Sequence, residues 1–203
     1  MKKRTIAQAS LGFWVAIALF LWNPTPALAD VNPAELGKAV QEIESLDQMR
    51  SGLASTIEDI EGEPTMETMK QVCKPVGMRA KELSQENQWQ LRQVSAKYRN
   101  PAHAPKNDAE EQAVTRFQEN PDLMAFWEQD TLDGQEGVHY FRRITVEASC
   151  LACHGPKGDR PTFVKENYPD DLAYNFNVGD LRGMYSVFIP EVKAGLQAAL
   201  VQN

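Results

Sequence analysis

The sequence predicts an α+β fold, and three observations carry that prediction. Apolar residues recur three or four apart from Leu36 to Leu46, and again at Met66, Met69, Val72 and Cys73, which places two amphipathic helices at the front of the folded chain. Past residue 88 the pattern changes to short β-branched and aromatic runs bounded by Gly, Pro, Asn and Asp. Strands and helices do not alternate one for one there, so the elements segregate rather than winding into βαβ units.

Each element follows from its residues. Lys2, Lys3 and Arg4, the apolar run Leu11–Trp22 and the small-residue pattern Ala27-Leu28-Ala29 read as a secretory signal peptide over 1–29. Its apolar run of about 12 residues is too short to span a bilayer core of roughly 30 Å. An N-terminal helical segment over 30–65 opens with Asn32 as cap and Pro33 at the first helical position, and runs to about Ser55. Gly62 and Pro64 end it. A second helix starts at "TMETMKQVCK", is kinked or interrupted by Pro75 and Gly77, and is extended by "MRAKELSQEN". "WQLRQVS" (89–95) reads as a strand, 97–108 as a proline-rich loop and 109–120 as a short helix. Residues 121–146 form a β-hairpin around Asp133-Gly134, "LRGMYSVFIP" (181–190) is a strand, and 191–202 is a closing helix.

Charge excludes some partners. The leader carries three of the 21 basic residues and none of the 28 acidic ones, which leaves the mature chain at −10. That balance argues against nucleic acid and against an anionic membrane surface. No other apolar run is long enough to span, so no membrane anchor is expected once the leader is removed. The Asp and Glu residues read as solvated faces rather than converging pairs, and nothing suggests hydrolytic machinery.

The chemistry concentrates in "ASCLACHGPKGD" (148–159), with Cys150, Cys153 and His154. Cys-x-x-Cys-His is the attachment spacing of a c-type haem. Two thiols on one tight turn reach the two vinyl groups of a porphyrin, and the next residue turns its imidazole to the iron. The bland alternatives are a Cys150–Cys153 disulfide, half of a zinc site and a thioredoxin-like redox pair. The zinc site lacks its second pair of ligands, and the redox pair lacks its βαβ setting. A chance match arises in about one chain in a thousand at average residue usage. The expected cofactor is therefore one covalently attached haem c, with His154 as proximal ligand.

Cys73 is then the odd cysteine of an exported chain. It is either a small buried residue or the distal ligand. Its rivals are His103, His139 and the sulfurs of Met49, Met66, Met69, Met78, Met124 and Met184. Most of the methionines sit at core spacing, and His139 reads as a surface or packing residue. Spacing alone divides the distal position among Cys73, His103, a methionine and an open site.

Four blocks, "CKPVG" (73–77), "KYRNPAHAP" (97–105), "CLACHG" (150–155) and "YPDDLA" with "GDLRGMYSV" (168–187), resemble the exported c-type haem proteins with a PAS-like domain found in photosynthetic and other bacteria. The resemblance implies a PAS-like antiparallel sheet with flanking helices over 66–203, one haem, and His154/Cys73 axial ligation. This chain departs from the family at His103, where the loop often carries Asn. Arg99 and Arg182 stand in the two more specific blocks and are expected on the haem propionates, with Tyr168 adding a hydrogen bond. Gly155, Gly179 and Gly183 read as turn or close-approach positions.

These expectations describe a non-enzymatic haem protein of the periplasm or thylakoid lumen. A redox or gas sensor is one function class, in which the axial ligands respond to oxidation state or a small ligand and the N-terminal helices move. A low-potential electron carrier is the other. Either requires a redox or signalling partner protein.

Overall fold

Asn32 opens the first helix: its Oδ1 accepts the Ala34 N–H at 3.0 Å, and Pro33 needs no partner for its nitrogen. The computed structural model describes residues 32–190. The expected leader and the closing helix over 191–202 lie outside these residues. Helix α1 (Pro33–Ser55) buries the stripe Ala39, Ile43 and Leu46. Helix α2 (Met66–Asn87) starts on a reciprocal Thr65–Thr68 cap and buries Val72, Val76, Ala80 and Leu83. It runs on through Pro75 as one helix, where the sequence pattern suggested a kink or break. Its apolar stripe continues on one face across the proline, and packing on that stripe outweighs the lost hydrogen bond. Gln88, in the left-handed region at φ 57°, ends it.

Four strands follow: β1 (Gln90–Val94), β2 (Ala125–Leu132), β3 (Gln135–Thr145) and β4 (Leu181–Pro190). All neighbours are antiparallel in the order β1-β4-β3-β2, so the last described strand lies in the middle beside the first. Asp133 and Gly134, both at positive φ, make the two-residue turn of the β2–β3 hairpin. The α+β class and the antiparallel sheet are therefore observed.

The two-residue period of the strands sorts side chains to two faces. Tyr140, Tyr185, Val187 and Ile189 pack against α1 and α2. Val94, Phe126, Phe141 and Met184 pack against Val114 and Phe117 of α3 (Asp108–Glu119). His139 is 1 % exposed on this second face and so is not a surface residue. Its ring nitrogens lie 2.8 Å from Asp130 Oδ2 and 2.8 Å from Ser186 Oγ, and Ser186 donates onward to Glu110 at 3.0 Å. Glu110, Asp47 and Asp171 are buried in ion pairs, contrary to the expectation that the acids form solvated faces. Met184 is core, whereas Met49, Met78 and Met124 are exposed rather than packed. Among the described residues no helix is long and apolar enough to cross a membrane.

Candidate functional site

A cavity of about 350 Å³ lies where α1 and α2 pass over the β1 end of the sheet, within the size range of small-molecule sites. Ile144, Val94 and Gly183 supply its floor, and Val72, Cys73 and Val76 of α2 form one wall. The segment after β3 forms another part of the wall, with a turn at Ala148–Cys150 and the single-turn helix α4 (Leu151–His154). Cys73, Cys150, Cys153, His154, Arg99, Arg182 and Tyr168 all line this one space. None of the three cysteines is paired in a disulfide. Among the described residues no three of His, Cys, Asp and Glu gather closely enough to hold a bare metal ion.

A helix of one turn has no stability of its own, and its neighbours hold α4. Asn175 N–H donates to Gly155 O at 2.7 Å and Phe176 N–H to His154 O at 3.2 Å. His154 Nδ1 lies 2.8 Å from Ala173 O. A carbonyl only accepts, so Nδ1 carries the proton and Nε2 is left with its lone pair on the cavity side. Enclosure by protein, then the Arg182 and Arg99 charges, push His154 well below the ordinary imidazole range. The ring is neutral at pH 7 and competent to ligate a metal.

Arg99 donates from Nη2 to Cys153 O at 2.7 Å, and the same nitrogen stands 3.4 Å from His154 Nδ1. Because that Nδ1–H already donates to Ala173, the second contact is a charge beside the ring. Arg182 donates from Nη1 to Ser95 Oγ and Lys97 O, each at 3.2 Å, and has no carboxylate partner among the described residues. Burial and then the neighbouring Arg99 pull its pKa down to about 10. Three guanidiniums thus line one cavity: Arg50 is matched by Asp47 and Glu147 and Arg99 by Asp171, which leaves Arg182 alone without a carboxylate among the described residues.

Cys73 is reached by solvent through the cavity mouth yet is walled in by protein. That enclosure raises its pKa, against the pull of Arg99 and Arg182 towards the thiolate. Burial pushes the Cys153 thiol up to about 11.

The Arg-Asn-Pro loop shapes the remaining wall. Asn100 caps the short turn Pro101–His103 by accepting the Ala102 N–H at 3.0 Å. His103 also lines the cavity, with Nδ1 2.9 Å from Gln93 O. Burial holds it below the usual imidazole value, against its bond to Gln93. Tyr168 OH lies 3.7 Å from Met69 Sδ, and Met69 is the methionine of the candidate ligands that reaches the cavity wall.

This donor set fits a flat, anionic, metal-bearing macrocycle. The thiols and imidazole are chemically able to bond or ligate such a group, the apolar floor and helix faces would supply its slot, and the unmatched Arg182 guanidinium calls for negative charge. Sequence reasoning assigned no role to Arg50, Ser95, Arg160 or Asp171. Asp171 stood inside the quoted "YPDDLA" block, but nothing local distinguishes it from its neighbour Asp170, since only the fold brings it to Arg99 and Arg160.

A model of the Tll0287-like family, Tll0287, matches residues 29–190. No curated protein matches the chain. A crystal structure of the cyanobacterial heme-protein Tll0287 is similar at 59% identity with a TM-score of 0.71, covering 80% of this chain and 98% of that one.

Proposed function

The chain belongs to the Tll0287-like family, and on that premise we propose that it is an exported c-type haem protein that holds one covalent haem and acts as a redox sensor. The convergence of Cys150, Cys153, His154 and Cys73 on one cavity walled by Arg99 and Arg182 carries this reading. Bound haem would supply a one-electron couple at its iron. Cys150 and Cys153 would hold it as thioethers: each S–H adds across a vinyl double bond, sulfur to one carbon and hydrogen to the other, with no oxidant and no leaving group. His154 would ligate through Nε2 and Cys73 through its sulfur. A thiolate ligand favours the ferric state and a low potential. With His154 and Cys73 both given to the iron, no position would be left for a substrate, which favours sensing over catalysis.

The sensor reading is favoured over simple electron transfer by the walls of the cavity. Arg50 of α1 lines it and also bonds Glu147, the residue that leads into the Cys150 turn, at 2.8 Å. Ser51 donates to the same carboxylate at 2.6 Å. A change at the ligands therefore bears directly on α1 and α2, the elements placed to report to a redox or signalling partner. Haem attachment and the leader support a location outside the cytoplasm, in a periplasm or thylakoid lumen.

The test is an absorption spectrum of the protein made with haem-attachment machinery, oxidised and reduced, beside Cys73→Ala. A c-type spectrum whose thiolate-like ferric bands vanish in the variant is expected. An unchanged variant spectrum would move the distal role to His103 or Met69, and a chain without covalent haem would overturn the reading.

A further inference from the structure

We propose that Asp171 is the positioning residue of the proximal side: it holds the two protein groups that touch the His154 ring nitrogen and sets the charge beside it. The inference rests on the haem reading above.

The Asp171 side chain is fully enclosed, at 0 % exposure. Oδ2 accepts from Arg160 Nη1 at 3.0 Å. Oδ1 accepts the Ala173 N–H at 2.9 Å and lies 3.4 Å from Arg99 Nε. From there two routes reach the same atom. Ala173, fixed through its N–H, offers its carbonyl to His154 Nδ1 at 2.8 Å. Arg99, drawn to Asp171, sets Nη2 against Cys153 O and 3.4 Å from His154 Nδ1.

Arg99 Nε is buried and makes no hydrogen bond. Arg99 and Asp171 are therefore held together by charge, with the other guanidinium nitrogens free to serve the wall.

A neutral side chain at this position could still tie the loop together. It could not neutralise a cation next to the imidazole, and that difference is measurable. A guanidinium beside the ring opposes electron donation from His154 to the iron, and Asp171 offsets it. Partners that orient a ligating imidazole tune the metal in this way. Removing the buried negative charge favours the reduced iron, so the midpoint potential rises. Removing the Arg160 cation, which does not touch the His154 ring, has the opposite sign. A purely structural role would make both changes destabilising and give the potentials no opposed signs.

The experiment compares haem-loaded wild type, Asp171→Asn and Arg160→Gln. Midpoint potentials are read by spectroelectrochemical titration at pH 7, and the His154 ring nitrogens by 15N NMR of the reduced protein. In the Asn variant the amide oxygen still accepts the Ala173 N–H, which keeps the loop. The expected result is a higher midpoint for Asp171→Asn, a lower one for Arg160→Gln and a displaced Nδ1 resonance in the former. Midpoints equal to wild type, or shifted in the same direction, with Nδ1 unmoved, would overturn the assignment while the haem reading stood. If Asp171→Asn fails to load or fold, the sign of the Arg160→Gln shift decides alone. A wild type without covalent haem would instead bring down the haem reading, and this inference with it.

Discussion

Arg182 exposes the electrostatic design of the cavity. Its guanidinium is held by two neutral acceptors at 3.2 Å and by no carboxylate among the described residues. The fall of its pKa from the ordinary guanidinium range to about 10 corresponds to about 3 kcal/mol of destabilisation of the charged folded state at neutral pH. The side chain keeps partial contact with solvent, so about half of that, roughly 1–2 kcal/mol, is the working figure. The sign follows from the depression: a base whose folded pKa is lowered weakens the fold at every pH at which both states are protonated, and relief comes only above about pH 10. Arg182→Gln removes the charge and keeps one amide donor for Lys97 O. Made without haem, the variant should therefore be more stable than wild type by about 1 kcal/mol, or roughly 2–4 °C in Tm. Loaded with haem, whose carboxylates and Cys73 thiolate are the proposed counter-charges, the order should invert. Thermal melts by circular dichroism on both forms give the four values. Equal destabilisation in both forms would refute the reasoning, because Arg182 would then be an ordinary structural hydrogen-bond donor.

Two further outcomes follow from contacts around the same cavity. Gly183→Ala places a methyl against the Val94 carbonyl oxygen and 3.2 Å from Ser95 Cβ. Backbone cannot rotate away, so β1 must retreat, at a cost of about 1–3 kcal/mol, read as a lowered denaturation midpoint and poorer haem loading. An unchanged midpoint would show that β1 and β4 are not closely apposed there. Burial pushes the Glu147 pKa up, but its hydrogen bonds to Ser51 and Arg50 hold it below 4.5 overall. That stabilisation is present above the unfolded carboxylate value and is lost as pH falls through the folded one. Its side chain is 39% exposed, so Glu147→Gln should cost only about 1 kcal/mol at pH 7. The difference should shrink in melts as the pH falls below the ordinary carboxylate range, and one that stays constant through that fall would sink the argument.

The elements were legible where one physical rule decided them. The Asn32-Pro33 start, the Asp133-Gly134 turn and the strand at 181–190 carry local backbone chemistry that tertiary packing did not override. Pro75 misled because a proline's cost is local, whereas the apolar stripe through Val72, Val76, Ala80 and Leu83 is collective. Cys150, Cys153 and His154 could be read because they are adjacent in the chain. Cys73 was visible only as the odd thiol, and its place in the same cavity depends on how α2 crosses the sheet. Asp171 and Arg160 had no signal at all. Their roles come from distances between segments that no spacing encodes, and the buried chain from Asp130 through His139 to Glu110 is of the same kind.

Arg50 bears on the choice between sensor and carrier. An electron carrier needs a rigid pocket and asks nothing further of its helices. Here a cavity-lining cation belongs to α1 and bonds Asp47 at 2.7 Å and Glu147 at 2.8 Å. Asp47 in turn pairs with Arg142 of β3 at 2.7 Å, which also holds Glu44 of α1 at 2.9 Å. Charges that share partners respond together, because a change at one partner alters the balance at the others, with solvent screening the outer carboxylates Glu147 and Glu44. A one-electron change at a group bound in the cavity would therefore alter the balance of Arg50 between its two carboxylates, one on α1 and the other at the entrance to the Cys150 turn. The helix that would carry a signal in the proposed sensor and the segment that would carry the haem share the same guanidinium, an arrangement suited to a switch.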